Sequence, residues 1–421
     1  DTHLKELFKI DQKKIENQFV NSPHSEKQLS NIFSEKIAKQ LESYGKELLI
    51  LKSHLIDNRV RFSQKEPLTI KNEPMKMRNI KKTSSLLLAM CMGISAIPSA
   101  QAKELNSQLP DPDGKPANMK KPVKVFIVMG QSNTLEMGKV TPQLGKIYPF
   151  LVDDAGAWTT RKDVRNVSVM TGRKGIYRND WLTISGKKLG IEIGIGHQLG
   201  HAIDEPVMVL KSSIGNRSLG WDLLPPGTPR YTHNGKEEPG YKETVKSKKD
   251  KTIVPYVKGG DMLQWYAGKQ YDDDVANAKK ILAELDTFYP GAKGYEVTGF
   301  IWWQGDKDRY NPAHAATYEK NLVNLVKALR KDFNAPKAAF VTASLGQTKD
   351  GATSADGIIL NAMKSLASGK YSKELGNNIG FLYTHPLSKG GSSNGHYSGN
   401  AETYMNVGLG LGKEMVKQIK K

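Results

Sequence analysis

Val123-Lys-Val-Phe-Ile-Val-Met129, followed at once by Gly130-Gln131-Ser132-Asn133, is the stretch that decides the fold. A short, nearly continuous apolar run rich in Val and Ile reads as a strand buried on both faces. A Gly-initiated turn directly after it puts a serine hydroxyl at the sheet edge. Similar runs lie at residues 206–211, 297–303, 338–343 and 379–384. Helical periodicity fills the intervals at 192–203, 273–288, 313–333, 358–367 and 401–419. The acidic run Asp272-Asp273-Asp274 suits a helix start, where negative charge meets the dipole. Strands alternating with helices predict an α/β fold. The expected form is a three-layer α/β/α sandwich around a central, mainly parallel five-stranded sheet. In such sheets chemistry gathers beyond the carboxyl ends of the strands. The residues after each run are therefore the candidates.

Residues 225–260 interrupt the alternation. They are rich in Pro, Gly and Lys and too long for an ordinary connection, so they read as a functional rim loop or a solvated insertion.

The chain has 421 residues, a formal net charge of +19 and a single cysteine. An apolar fraction of 38% supports a sizeable core, and one cysteine excludes a disulfide framework and a CxxC redox pair. Residues 77–102 read as a secretory signal. Arg78, Lys81 and Lys82 form a basic start, residues 86–94 an apolar run, and Ala100-Gln101-Ala102 a small-residue cleavage site. The run is too short to span a bilayer, which needs about 20 residues. Residues 1–76, Lys/Glu-rich and helical in period from about 25 to 56, are expected to come from an over-extended reading frame with translation starting at Met75 or Met77. The mature chain is then expected to be 103–421. It would be exported, periplasmic or secreted, with no stable membrane insertion after cleavage. Its net charge would be +13, with Cys91 lost.

Four turns carry candidate chemistry. Ser132 follows the first run, and its hydroxyl is a candidate nucleophile with its own N–H as oxyanion donor. After the second run comes Ser212-Ser213-Ile214-Gly215-Asn216-Arg217, where Gly215 permits close backbone approach and Asn216 and Arg217 offer donors. After the third comes Trp302-Trp303-Gln304-Gly305-Asp306: two tryptophans that suit sugar stacking or core, an amide and a carboxylate. His396 lies in a Gly/Ser-rich loop before the last helix, where a general base can swing over the sheet edge. Each turn alone is also an ordinary turn.

Taken together, the order Ser, Gly, amide, His resembles the SGNH-hydrolase superfamily, whose sheet is flavodoxin-like. Within it, Gly130-Gln131-Ser132-Asn133, Trp302-Trp303-Gln304-Gly305-Asp306 and His396 are similar to the sialate O-acetylesterase and acetylxylan esterase branch. The likeness runs over roughly 124–415. It implies Ser132 as nucleophile and His396 as general base, with Ser132 N–H, Gly215 N–H and Gln304 as the oxyanion hole. Asn133, Asn216, Arg217, Trp221 and Trp303 are the substrate-binding candidates, and Trp302 is a further stacking candidate. The implied activity is a serine esterase that removes O-acetyl groups from sugars or polysaccharides, without metal or cofactor, acting on an acetylated carbohydrate with anionic forms favoured by the charge.

One departure stands out. The superfamily places Asp three residues before the His, and here that residue is Ser393. Three arrangements fit: a Ser–His dyad, a carboxylate supplied from elsewhere by Asp306 or Glu192, or a weak or inactive glycan-binding protein on the same fold. Other features carry less. His197 and His201 stand at i, i+4, a zinc-compatible spacing, but no third ligand accompanies them. The Lys-rich segment 246–251 reads as a solvated face and no nucleic-acid module is present. No G-x-G-x-x-G or P-loop occurs, so a nucleotide cofactor is not expected.

Overall fold

The computed structural model describes residues 116–171, 175–246, 249, 251–259 and 265–421. The expected signal segment, the 76 residues before it and Cys91 lie outside the described residues, as does part of 246–251.

The strands are β1 (Val123–Gly130), β2 (Arg161–Met170), β3 (Gly175–Leu182), β4 (Val207–Ser212), β5 (Tyr295–Trp303), β6 (Ala339–Ala343) and β7 (Ile379–Leu382). They form one sheet in the order β7-β6-β5-β1-β4-β2-β3. Its pairings are parallel, except β2 with β3, which is antiparallel. The longer helices are α1 (Ile191–Ala202), α2 (Lys269–Ala283), α3 (Pro312–Asp332), α4 (Ala355–Ala367) and α5 (Ala401–Ile419). The fold is the expected α/β sandwich, and the five apolar runs are β1, β4, β5, β6 and β7.

The sheet has seven strands where five were expected. β2 and β3 escape an apolar criterion because they are polar. β2 buries Arg165, Asn166 and Ser168 in its interior, and β3 is the exposed edge strand, reading Gly-Ile-Tyr-Arg-Asn-Asp-Trp-Leu. Charged edges discourage pairing with other chains.

The strand period of two splits β1 between the layers. Val125, Ile127 and Met129 pack with α2, α3 and α4. Phe126 and Val128 pack with α1 and α5. Trp302 and Trp303 divide in the same way, one into each core. α1 and α5 meet at backbone distance. A Cβ on Gly194 would lie 2.4 Å from the Leu409 nitrogen, and one on Gly408 would lie 2.4 Å from the Ile191 oxygen. Their glycines let this layer close over the sheet at the two points where side chains would hold the helices apart.

The interruption at 225–259 is a structured insertion. It contains one ribbon of Tyr231–His233 with Lys236–Glu238 and a second of Glu243–Val245 with Ile253–Pro255. Among the described residues no helix is long and apolar enough to cross a membrane.

Candidate active site

β1 sits at the switch point of the sheet, between β5 and β4. Its last residue, Gly130, has φ +151°, and a Cβ there would come within 2.4 Å of the Trp303 carbonyl oxygen. Only glycine lets β1 and β5 run side by side to their ends and the chain then turn into Ser132. Ser132 opens a single 3-10 turn, Ser132–Thr134, and is half-buried. The Thr134 hydroxyl donates back to the Gln131 carbonyl (2.7 Å) and shares a 2.6 Å hydrogen bond with Ser213. The β1 and β4 turns are therefore stitched together.

That stitch brings Gly215 against the serine. A Cβ at Gly215 would lie 3.4 Å from Ser132 Cβ. The backbone N–H groups of Ser132 and Gly215 meet no acceptor among the described residues. A half-open hydroxyl beside two unengaged N–H groups is the elementary outfit for acyl transfer.

Behind them, Asp308 ties the turns into one body. It is fully buried and accepts from Leu219 N–H (2.9 Å), Gly220 N–H (2.8 Å) and Gln304 Nε2 (2.5 Å). The Gln304 amide donates further toward the Arg217 carbonyl (2.8 Å) and Gln131 Oε1 (3.2 Å), while its oxygen accepts from Tyr318 (2.9 Å). Three acceptors surround two amide hydrogens, and Gln304 is fully buried. In this geometry the Gln304 amide, expected as an oxyanion donor, links the β4 turn to the β5 turn. Asp308 itself was missed, though the second carboxylate of Asp306-Lys307-Asp308 was a visible signal.

Burial raises the Asp308 pKa to about 6, against the hydrogen bonds that favour its charge. A carboxyl with a raised folded pKa holds its proton more tightly in the folded state. Its stabilising contribution is present below its ordinary pKa near 3.8 and is lost as pH rises through about 6. Wild type should outrank Asp308→Asn in denaturant stability by about 2 kcal/mol more at pH 4 than at pH 7. A gap that stays the same at both pH values would refute this.

His396 stands in an unusual turn. His396, Tyr397 and Ser398 have φ values of +50°, +50° and +53°. Three consecutive non-glycine residues in the left-handed region are costly and need outside support. Tyr397 supplies it: it is fully buried, stacks on Trp303 at 5.8 Å and accepts from Gly346 N–H at 3.0 Å. The Tyr404 hydroxyl donates to the His396 carbonyl (3.3 Å). The strained turn leaves His396 half-buried.

The departure at Ser393 has a structural partner. Ser393 Oγ donates to Asp306 Oδ1 at 2.5 Å, and both residues are buried. The same oxygen accepts from Arg309 Nε (2.9 Å). Ser393 N–H donates to Gln347 Oε1 (3.1 Å), and Gln347 Nε2 to Asp356 (3.0 Å), which faces Arg309 at 3.6 Å. This closed ring fixes the His396 loop to the turns after β5 and β6. The other carboxylate candidate is engaged elsewhere. Glu192 is buried, 2.8 Å from Lys211 Nζ and from Gly190 N–H. Burial opposes the Lys211 charge, but Glu192, Tyr177 and Glu136 outweigh it and raise its pKa. Glu192 thus anchors the end of β4 that leads to Gly215.

The binding candidates divide. Asn216 is exposed, and Arg217 and Trp221 are half-buried. Trp303 and Asn133 are fully buried, and Trp303 lies in the core instead of facing substrate. Trp303 Nε1 donates to the Ser344 carbonyl (2.9 Å), and the Asn133 amide has no hydrogen-bond partner among the described residues. Trp302 is likewise core, donating to Tyr318 (3.2 Å). His197 is buried against the Phe150 ring, whereas His201 is exposed. A cavity of about 1010 Å3 opens near Tyr295, Lys337 and Ala338, at the amino ends of β5 and β6, the far end of the strands from Ser132.

Residues 240–416 match the family described as carbohydrate esterase, sialic acid-specific acetylesterase. Over that segment the chain is similar to carbohydrate esterases of this family. The matched segment contains Gln304, Asp306, Ser393 and His396; Ser132 and Gly215 precede it. No curated protein matches the chain. Among solved structures, a protein of Arabidopsis thaliana is similar at 14% identity and TM-score 0.42, covering 70% of this chain and 99% of its own. A carbohydrate acetylesterase of Xanthomonas citri is similar at 13% identity and TM-score 0.40, covering 69% of this chain and 55% of its own. The protein NanS is similar at 13% identity and TM-score 0.35, covering 66% and 79%.

Proposed function

We propose that this chain is an exported serine esterase that removes O-acetyl groups from sugars. The observation that carries the reading is the contact between the β1 and β4 turns, where Ser132 faces Gly215 with both backbone N–H groups unengaged. Ser132 Oγ attacks the acetyl carbonyl while His396 takes its proton. The tetrahedral oxyanion rests on the two N–H groups. Collapse breaks the ester C–O bond, the departing sugar oxygen takes the proton from His396 to become a hydroxyl, and an acetyl-serine is left. Water, deprotonated by His396, attacks this ester in turn and releases acetate. Asp306 is the acid of the site, acting on the His396 loop through Ser393. Export is supported by the signal-like segment 77–102.

The test is acetate release from O-acetylated sugars, combined with a serine-directed phosphonate whose adduct is mapped by mass spectrometry. The expected result is turnover, with inactivation that places the label on Ser132. A full-length protein that binds acetylated glycan, releases no acetate and takes no label would instead be the non-catalytic glycan binder, the reading that Ser393 in place of Asp favours.

A further inference from the structure

Arg217 lies two residues beyond Gly215, so its backbone is within about 7 Å of the oxyanion donors. Its guanidinium is held in place from two sides. It stacks over the Trp265 ring at 4.5 Å, and its Nε donates to Gln270 Oε1 at 3.2 Å. Trp265 is fixed in turn by a 2.8 Å hydrogen bond to Asp222, and Gln270 by one of 2.6 Å to Asp274. Such bracing restricts a side chain that otherwise has many rotamers.

Arg217 makes no ion pair within 4.0 Å among the described residues, though its charge is felt by the buried Asp274. Asp222, the nearest carboxylate in sequence, is committed to Trp265 and to the Ser218 N–H and hydroxyl. Asp274 is fully buried and committed to Gln270, and burial raises its pKa well above the usual carboxylate range. Lys269, the second cation at the Trp265 ring (5.4 Å), is paired with Asp273. Of the five guanidinium N–H donors, the recorded bonds are those to Gln270 and to the Asn216 carbonyl. A braced, half-buried guanidinium that makes no ion pair, on the residue two beyond the Gly215 donor, is built to receive an oxyanion.

We propose that Arg217, positioned by Trp265, is the specificity residue that binds a carboxylate or sulfate on the acetylated sugar. This rests on the esterase reading for its catalytic arm only. The selectivity ratio is kcat/KM for an O-acetylated sugar acid over its neutral methyl ester, with a sulfated sugar over its unsulfated form as the second pair. In Arg217→Gln the preferred pair's ratio should fall 10- to 100-fold, and which pair responds identifies the anion. Arg217→Lys should recover part of the ratio. Trp265→Leu should lower it by a smaller factor, and added salt should erode it in wild type. An equal loss on charged and neutral substrates, or a wild-type ratio near one, overturns the proposal. Binding of the deacetylated sugar acid and the sulfated sugar by calorimetry is read in parallel, since it needs no turnover. Equal binding of both by wild type and Arg217→Gln overturns the proposal even if the protein hydrolyses nothing, and weaker binding of either by the variant sustains it.

Discussion

Ser132→Ala is expected to lower kcat for acetate release by at least about 10⁴-fold with little change in thermal stability. The hydroxyl is the bond-forming atom of the proposed reaction, and no hydrogen bond of the fold is recorded through it. The turn around it is held by other groups: Thr134 to Gln131 and Ser213, and Gly130 beneath Trp303. Removing the nucleophile of a serine hydrolase leaves a residual 10³–10⁴-fold catalysis over water from the oxyanion donors and binding. A rate within tenfold of wild type would mean that Ser132 is not the nucleophile. A collapse of stability would mean that the hydroxyl holds the turn instead of reacting.

The sequence made the scaffold legible where burial is apolar. The five runs and five periodic segments correspond to β1, β4–β7 and the five long helices because each packs a whole face against a neighbouring layer. β2 was opaque because its buried positions include Arg165, Asn166 and Ser168, with Arg165 donating to the Phe288 carbonyl (2.9 Å) and to Asn179. No apolar pattern encodes such a strand. At the site, Ser132 and Gly215 were readable as turn residues next to strand ends, and the structure sets them side by side. Trp303 and Gln304 show where that reading stops. A residue at a strand's carboxyl end is near the chemistry, but the strand's alternation decides whether it faces substrate or core. Trp303 turns into the α1–α5 layer and Gln304 into the Asp308 clamp. The Trp265–Arg217 stack joins the start of α2 to the β4 turn, a pairing of residues 48 apart that no local pattern announces.

Asp306→Asn is expected to lower kcat by about 10²- to 10⁴-fold, the upper figure being the loss when the acid of a triad is neutralised. The argument depends on where the missing carboxylate has gone. At Ser393 the chain has a hydroxyl where the superfamily it resembles has Asp, and that hydroxyl donates to Asp306 at 2.5 Å. The carboxylate therefore sits one hydrogen bond from that position, supplied by the turn after β5 instead of the His loop. Restoring Asp at 393 without removing Asp306 should make matters worse. Two buried carboxylates at this distance cannot both ionise, so one would take up a proton or push the loop outward. Ser393→Asp alone is expected to lose at least tenfold in kcat. Combined with Asp306→Asn, it should instead recover at least tenfold over Asp306→Asn alone, since the charge then returns to the His loop with an amide as its neighbour. Such opposite effects of one substitution in two backgrounds are the signature of direct coupling. Additive losses in the double variant would show that Asp306 braces Arg309 and the loop without serving His396. A pH–rate profile separates the two cases, because loss of the acid's charge should lower the apparent pKa of the base limb, whereas loosening of the loop alone should leave it in place.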